Sequence, residues 1–337
     1  MNRYIGVDLH TTQITVCYLA EKDEISIRKY QLCEIEKFVA GLKKTDEIAV
    51  EATGNTRWFC EQLTCPGIKV RIVNPRAFEV IKSSAKKTDE HDAMNLAKFL
   101  KANLLPEVRR KSQAAEVVQR MNETRMKFVR MQTSLKNKLH ALAVSRGWKL
   151  KKESLSSEKG LNRLGEMEWT EMEQIEIEII IEQMRSLKKS IKRLEKAIEP
   201  IAKELSGYEN LLTITGIGSR SAGVLLAIIG DIKDFASKDK LASYFGIVPR
   251  VKNSADTIKH GRITKLGSKT GRTTLVQCSL VAMRRSPYLK EYYERIKKRR
   301  GHGKAKIALA RKFLGIIYDT LNNEWVFEDF NNFVLAE

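Results

Sequence analysis

The sequence predicts an α/β amino-terminal domain followed by a mainly α-helical remainder. Three observations support this class: short strand-like apolar runs in the first hundred residues, a heptad pattern in the middle, and a Gly-x-Gly turn between helical segments near the end. The expected boundaries are residues 1–105, 106–206 and 207–337. Apolar residues make up 42% of the chain, which is enough to form hydrophobic cores.

The first segment alternates predicted strands with predicted helices. The strands are expected at Tyr4–Asp8, Ile14–Leu19, Glu24–Tyr30, Glu47–Glu51 and Val70–Val73. Helices are expected at Trp58–Leu63 and, from the spacing of its apolar residues, at Asp89–Leu100. Three consecutive strands followed by strand–helix alternation indicate a mixed sheet.

The middle segment is predicted to contain two long helices, separated by a polar break at about residues 146–166. Apolar residues recur every seven positions before the break, at Met121, Phe128, Leu135 and Leu142. After it they alternate steps of three and four, at Ile177, Ile180, Met184, Leu187, Ile191, Leu194, Ile198, Ile201 and Leu205. This heptad pattern predicts an antiparallel hairpin, a dimerising coiled coil, or both.

The third segment contains a helix–turn–helix resembling a helix-hairpin-helix motif. Leu211–Gly218 ends in Gly-x-Gly, and a helix is expected over Ser219–Ile229. Gly216 and Gly218 can take positive φ and leave backbone N–H groups free for a phosphate at the start of a helix. A plain helical hairpin would show the same pattern, but the basic surroundings favour contact with a nucleic-acid backbone.

The charge distribution indicates a polyanionic partner. Formal charge is +20, and Arg250–Lys312 holds nineteen Lys or Arg residues against three acids. The alternative is a solvated basic surface, but this density favours phosphate contact.

The remaining composition indicates an intracellular protein. The five cysteines are scattered and odd in number, which argues against a disulfide framework. No uncharged apolar stretch approaches the length of a membrane span, and the amino terminus lacks the shape of a signal peptide. We expect a cytoplasmic, nucleoid-associated prokaryotic protein that does not contact membranes.

Four acids form the candidate catalytic constellation. Asp8 and Glu51 end two predicted strands, and Asp89 and Asp92 lie three apart at a helix start, where they share one face. Carboxylates that converge repel one another unless a cation lies among them. Mg²⁺ and Mn²⁺ prefer such oxygen ligands, and two ions can promote phosphodiester cleavage.

Each acid also has a structural interpretation. Asp8 could cap a turn, Asp89 could cap the helix that follows, and Glu51 could pair with Arg57. His10 and His91 flank acids and are weaker ligand candidates. The joint pattern nevertheless favours a metal site.

Several motifs resemble one family along most of the chain. Ile5-Gly6-Val7-Asp8, Glu51-Ala52-Thr53-Gly54 and Thr88-Asp89-x-x-Asp92-Ala93 resemble the RuvC-like DEDD transposases of insertion sequences, which are related to the Piv and MooV DNA invertases. The second domain of that family is matched by Ile214-x-Gly216-Ile217-Gly218, Leu241–Pro249, Gly261-Arg262-Ile263-Thr264-Lys265, Arg272 and Ala310–Lys312.

The resemblance implies a specific chemistry. It implies an RNase H/RuvC-like domain whose metal ligands are Asp8, Glu51, Asp89 and Asp92, and a second domain whose serine, here Ser254, forms a phosphoserine intermediate with DNA. The family commonly has Ser-Gly where this chain has Ser254-Ala255. It also implies a structured guide RNA that bridges the element ends or circular junction and the target DNA.

Ser254 would need an activator, because a serine hydroxyl is a weak nucleophile by itself. His260 is the one histidine close in sequence, so the carboxylate–metal site is the expected source of activation, in a composite site of a homodimer or tetramer. Arg250, Arg262 and Lys265 are expected to position phosphates, and the family pattern adds Arg272.

The predicted function is therefore that of an insertion-sequence transposase or site-specific recombinase using Mg²⁺ or Mn²⁺. One alternative is a RuvC-like nuclease or Holliday-junction resolvase, in which water attacks the DNA and no covalent intermediate forms. Another is a non-enzymatic architectural protein that binds DNA or RNA.

Overall fold

The protein is represented by a computed structural model that describes residues 2–63, 67–82, 88–254 and 257–328. The chain divides into two compact units, Met1–Arg110 and Lys111–Glu337. The predicted boundary at residue 206 falls inside the second unit, and the three-domain division stays a prediction. In the described part of the chain, no helix has both the length and the apolar character needed to cross a bilayer.

A five-stranded mixed sheet forms the centre of the first unit. Its strands are β1 (Arg3–Leu9), β2 (Gln13–Ala20), β3 (Ile25–Gln31), β4 (Glu47–Glu51) and β5 (Lys69–Val73). The order across the sheet is β3-β2-β1-β4-β5. The β1–β2 and β2–β3 pairs are antiparallel, whereas β1–β4 and β4–β5 are parallel. The predicted mixed sheet is confirmed.

Helices cover both faces of this sheet. They are α1 (Ile35–Ala40), α2 (Thr56–Gln62), α3 (Pro75–Lys82) and α4 (Asp89–Lys101). On one face, Val7 and Val16 pack with Phe38 of α1 and Phe59 of α2. On the other face, residues of β2 pack against Ala93 and Ala97 of α4. Strand periodicity separates the two faces, because successive side chains point to opposite sides.

Gly6 of β1 allows α4 to contact the strand backbone directly. A Cβ at Gly6 would lie 2.0 Å from the carbonyl oxygen of Ala93 and 2.6 Å from the amide nitrogen of Ala97. No larger residue fits at this approach. The amino-terminal end of α4 is thereby held beside the end of β1.

Replacing Gly6 with Ala is expected to destabilise the protein by about 1–3 kcal/mol, because the added methyl forces α4 away from β1. Urea unfolding measures this loss. Gly41→Ala is the matched control, since its Cβ would meet the carbonyl oxygen of Phe38 at an ordinary 3.5 Å. Equal stability of the two variants would show that α4 accommodates the methyl.

The second unit begins with an antiparallel pair of long helices. They are α5 (Gln113–Ser145) and α7 (Glu171–Lys203), with the short α6 (Glu158–Gly165) between them. Lys138 pairs with Glu176 at 3.1 Å near one end, and Arg125 pairs with Glu195 at 2.7 Å towards the other. Several heptad residues of α7 are buried within the chain, namely Ile177, Ile180, Met184, Ile191 and Ile198. The structure thus contains the hairpin alternative.

The rest of the second unit is mainly helical around one hydrophobic core. Its helices are α8 (Tyr208–Thr213), α9 (Ser219–Ile229), α10 (Lys238–Tyr244), α11 (Lys269–Arg285) and α12 (Pro287–Asn322). A two-stranded hairpin, β6 (Pro249–Ser254) and β7 (Thr257–Ile263), is inserted between α10 and α11. Gly301 breaks α12 into two arms through its non-helical φ of 79° and ψ of 166°.

Candidate active site

The strand register places Asp8 and Glu51 side by side. Val7 of β1 pairs with Val50 of β4 in a parallel ladder, so the next residues along, Asp8 and Glu51, are adjacent. On the other side, Asp8 pairs with Thr15 of β2. Paired residues share a face of the sheet, and the face of Asp8 is that of Gly6, which contacts α4.

Helix α4 brings Asp89 and Asp92 to the same face. Thr88 is its N-cap residue, and the Thr88 hydroxyl accepts a hydrogen bond from the amide of His91 at 3.2 Å. Asp89 is therefore the first residue of the helix and not its cap, which excludes the capping interpretation of this acid. Negative charge in the first turn also interacts favourably with the helix dipole.

His10 lies between two of the acids. Its Nε2 is 3.1 Å from Oδ2 of Asp8 and 3.5 Å from Oδ1 of Asp89. Among the described residues, Asp8, His10 and Asp89 form a group whose ligand atoms all lie within 4.8 Å of one another. The sequence favours His10 only weakly as a ligand, because its position beside the carboxylates depends on the turn after β1.

Burial and neighbouring negative charge disfavour the ionised form of Asp8. Burial raises the pKa of the Asp8 carboxyl above its usual value, His10 opposes this increase, and the negative charges of Asp89 and Asp92 add to it. Asp92 thus acts on Asp8 electrostatically as Asp89 does. A bound divalent cation would relieve the repulsion among these carboxylates.

A network of hydrogen bonds orders the loop after Glu51. The Asn55 side-chain amide donates to the carbonyl oxygen of His10 at 2.9 Å, which ties the loop after β4 to the turn after β1. The Thr56 hydroxyl donates to the carbonyl oxygen of Glu51 at 2.8 Å. Sequence reasoning missed Asn55, since the Thr-Gly-Asn run indicated only the end of a strand. The alternative partner of Glu51, Arg57, donates to Glu61 at 2.9 Å.

The Gly-x-Gly turn of the second unit uses positive φ at the first of its two glycines. Gly216 has φ of 101°, and a Cβ there would lie 2.7 Å from the carbonyl oxygen of Cys278 in α11. Gly218 has φ of −98°, so it does not use the positive φ that a glycine permits. Gly218 is the N-cap of α9 and takes the extended conformation usual there, which requires no glycine.

Arg272 has a structural contact in this unit. Its Nη1 donates to the carbonyl oxygens of Phe245 at 3.2 Å and Gly267 at 2.6 Å, and burial lowers the pKa of its guanidinium. Arg272 therefore joins the turn after α10 to the turn after β7. A role in phosphate binding stays a prediction for this residue. Arg250, Arg262 and Lys265 have exposed side chains that are accessible to a polyanion.

Replacing Arg272 with Gln is expected to lower the free energy of unfolding by about 1–3 kcal/mol. The carbonyl groups of Phe245 and Gly267 would lose their charged hydrogen-bond donor. Chemical denaturation followed by circular dichroism measures the effect. Arg262→Gln is the control, and its exposed side chain should change stability by no more than about 0.5 kcal/mol. If both variants lowered the free energy of unfolding by the same small amount, the hydrogen bonds of Arg272 would not contribute to stability.

Ser254 is the last residue of β6, and its Cα pairs with that of Thr257 in β7. The side chain of Ser254 and residues 255–256 lie outside the described part of the chain. The role of the serine hydroxyl therefore stays a prediction.

Two transposase family models match separate segments of the chain. A family model of the DEDD IS110 type, described as a transposase, matches residues 5–145. A second model, described as the transposase IS116/IS110/IS902 family, matches residues 208–294. The first match covers all four acids, and the second covers the Gly-x-Gly turn and the β6–β7 hairpin.

Similar proteins extend over nearly the whole chain. A probable family 20 transposase of Pseudomonas aeruginosa is 26% identical over 335 residues, covering 95% of this chain and 97% of the relative. The transposase for insertion sequence element IS1111A of Coxiella burnetii is 24% identical and covers 96% and 90%. The pilin gene-inverting protein of Moraxella bovis is 27% identical and covers 96% and 97%. The chain therefore carries the DEDD IS110-type and the IS116/IS110/IS902-type transposase domains, and it is similar over nearly its whole length to transposases, which are DNA strand-transfer enzymes, and to a pilin gene-inverting protein.

Proposed function

We propose that this transposase cuts and rejoins DNA strands at the ends of its element with a divalent metal held by Asp8, Glu51, Asp89 and Asp92. The observation that carries the proposal is the group of possible ligands formed by Asp8, His10 and Asp89. Glu51 follows Val50, the partner of Val7, in the parallel ladder, and Asp92 lies in the first turn of α4, where its charge acts on Asp8. We also propose an RNase H/RuvC-like fold for this unit, which the mixed strand order supports.

The donor set fits Mg²⁺ or Mn²⁺. Carboxylate oxygens suit both ions, and the imidazole of His10 would be a better ligand for Mn²⁺ than for Mg²⁺. The Thr15 hydroxyl also supports a bound group, because it is fully buried, lies across from Asp8 and has no hydrogen-bond partner among the described residues. A buried hydroxyl without a hydrogen-bond partner destabilises the fold unless a bound group supplies that partner.

The residues of the site have separate tasks. Asp8 and Glu51, on adjacent rigid strands, would hold the metal at a fixed position on the sheet, whereas Asp89 and Asp92 would close the site from α4. The metal would supply Lewis-acid stabilisation of the transferring phosphate. Asn55 would hold together the two loops that follow the strand-end acids, through its bond to the carbonyl oxygen of His10.

Replacing Thr15 with Val tests the position of this hydroxyl. We expect unchanged or slightly higher stability, because the substitution is close in shape and removes an unsatisfied buried group. We expect about 10-fold weaker Mn²⁺ binding, since the hydroxyl would no longer be available to donate a hydrogen bond to a ligand of the bound ion. Calorimetric Mn²⁺ titration and urea unfolding measure the two effects, and Thr15→Ser should restore binding. Unchanged Mn²⁺ affinity in the Val variant would contradict this role.

We propose Ser254 as the nucleophile, on the basis of its position in the family motif. Its hydroxyl oxygen would form a bond to the DNA phosphorus while the bond to the leaving strand oxygen breaks. A hydroxyl of the incoming strand would then attack the phosphoserine and release Ser254. The competing route uses water in place of serine, and the described carboxylate group supports that route directly. The two routes differ in whether a covalent adduct forms.

The metal proposal is tested with purified protein, labelled junction DNA and RNA transcribed from the flanking element. Cleavage should require Mg²⁺ or Mn²⁺ and disappear in EDTA. Equal cleavage in EDTA would refute a metal-dependent mechanism. Omitting the RNA tests the proposed guide, because a guided enzyme would lose target joining while retaining its fold. A homodimer or tetramer stays a prediction, which light scattering of the RNA-bound protein would check.

A further inference from the structure

The two arms of α12 enclose an open groove in the second unit. The arms meet at the break at Gly301, and the groove of about 1640 Å³ runs between them, closed at its sides by the start of α10 and by β7. Every residue that lines it belongs to the second unit. The acids of the metal site contribute nothing to this groove.

The groove carries a large excess of positive charge. Among the described residues, eight Lys or Arg side chains line it, against two acids. Both acids already pair with groove cations: Asp239 with Arg311 at 2.8 Å and Asp319 with Lys238 at 3.0 Å. The excess of six positive charges therefore faces the groove and would attract a polyanion.

The ammonium group of Lys312 is held between aromatic rings and other positive charges of this groove. Its Nζ lies 5.1 Å from the ring centroid of Tyr288 and 4.9 Å from that of Tyr292, so the ammonium group sits against two aromatic faces. Burial lowers the pKa of Lys312, and the charges of Arg295 and Lys238 lower it further. A phosphate beside Lys312 would offset this crowding of like charge.

The walls of the groove are apolar and aromatic below the charged rim. Tyr288, Tyr292 and Ile296 succeed one another at helical spacing on the first arm, and Ile307 and Ile316 face the groove from the second. The two tyrosine rings are half-buried, so part of each ring is accessible. Aromatic faces inside a cationic groove are the arrangement that binds unpaired bases, because each base can stack while its phosphate meets a cation.

We propose that this groove binds an unpaired nucleic-acid strand, with a phosphate at Lys312 and bases against Tyr288 and Tyr292. The proposal rests on the proposed function in that the enzyme handles nucleic acid, and it adds the strand form and the place of binding. A duplex fits less well, because its bases are stacked inside and only its phosphates could use the groove.

Fluorescence anisotropy with labelled oligonucleotides of about 12 nucleotides tests the proposal, because groove-bound single strands occupy about 4–16 nucleotides. The probes are oligo-dT, oligo-U, an abasic phosphodiester chain and a duplex of the same length, all in EDTA so that no strand is cut. The variants are Lys312→Gln, the double variant Tyr288→Leu/Tyr292→Leu, and Tyr292→Phe. Lys192→Gln is the control, which removes one exposed charge from α7 outside the groove.

Lys312→Gln is expected to weaken oligo-dT binding about 10-fold and to reduce the slope of log affinity against log salt by about 0.7, the value for one phosphate contact on a single strand. The double tyrosine variant is expected to weaken oligo-dT binding about 10-fold or more but to leave the abasic chain unaffected. Tyr292→Phe should bind like the wild type, because the ring is retained. Preference for oligo-U over oligo-dT would identify RNA as the strand, and the reverse preference would identify DNA.

Three results would overturn the proposal: tighter binding of the duplex than of the single strands, equal effects of Lys312→Gln and Lys192→Gln, or equal loss of abasic and oligo-dT binding in the tyrosine variant. Failure here is distinguishable from failure of the proposed function. Asp8→Ala should abolish cleavage without changing oligonucleotide binding, whereas a groove that binds nothing would leave metal-dependent cleavage by the wild type intact. Thermal unfolding of each variant checks that the fold is retained.

Discussion

Replacing Asp8 with Asn is expected to reduce metal-dependent cleavage of element-end DNA about 1,000-fold. The substitution keeps the size of the side chain but removes a ligand charge, and a metal ion stabilises the transition state by several kcal/mol, at about 1.36 kcal/mol for each tenfold in rate. The same substitution should not destabilise the fold. The Asp8 carboxylate is partly buried and repelled by Asp89 and Asp92, so removing its charge relieves an unfavourable interaction.

Single-turnover cleavage of labelled junction DNA and urea unfolding measure these two effects. Asp23→Asn is the matched control, because Asp23 is an exposed acid of the same unit that pairs with Lys101 at 2.8 Å, away from the metal site. Activity of Asp8→Asn within a few-fold of the control would remove Asp8 from the metal site. If Asp8→Asn instead lowered the free energy of unfolding enough to explain its loss of cleavage, Asp8 would have a structural role and not a role in metal binding.

Replacing Ser254 with Ala is expected to abolish the covalent protein–DNA adduct and to reduce strand exchange at least about 1,000-fold, as the removal of covalent nucleophiles does in other enzymes. The reason is chemical: the alanine methyl offers no oxygen to attack phosphorus, whereas the metal ligands remain intact. Denaturing gels of reactions with labelled DNA report the adduct as a protease-sensitive shift. Ser243→Ala, in an exposed position on α10, is the control for substitution of a serine in the same unit.

Comparison with Asp8→Asn decides between the two proposed routes. Loss of the adduct in both variants supports a serine nucleophile that depends on the metal site. Cleavage without any adduct, surviving Ser254→Ala but lost in Asp8→Asn, would establish attack by metal-activated water and leave Ser254 without a catalytic role.

The strand ends of the first unit could be predicted from sequence alone. Short apolar runs in β1 and β4 placed Asp8 and Glu51 near strand ends, and the helical spacing after Asp89 placed Asp89 and Asp92 on one face of α4. The short helices α1 and α3 were not predicted, whereas α2, of similar length, was. The heptad pattern predicted the length of α7 but left its partner open.

The sequence by itself thus determined most strands and helices of the first unit and the positions of the four acids along them. Periodicity and residue type act over a few neighbouring positions and can therefore be read from the sequence. Only the tertiary structure decided which of them meet. Contacts in the first unit join residues up to about ninety positions apart in sequence. They include the contact of α4 with Gly6, the approach of His10 to Asp8 and Asp89, and the pairing of Thr15 with Asp8. The groove of α12 likewise depends on where one glycine breaks a helix, and on which side chains then face each other. Such contacts arise from packing of whole elements, which no local pattern records.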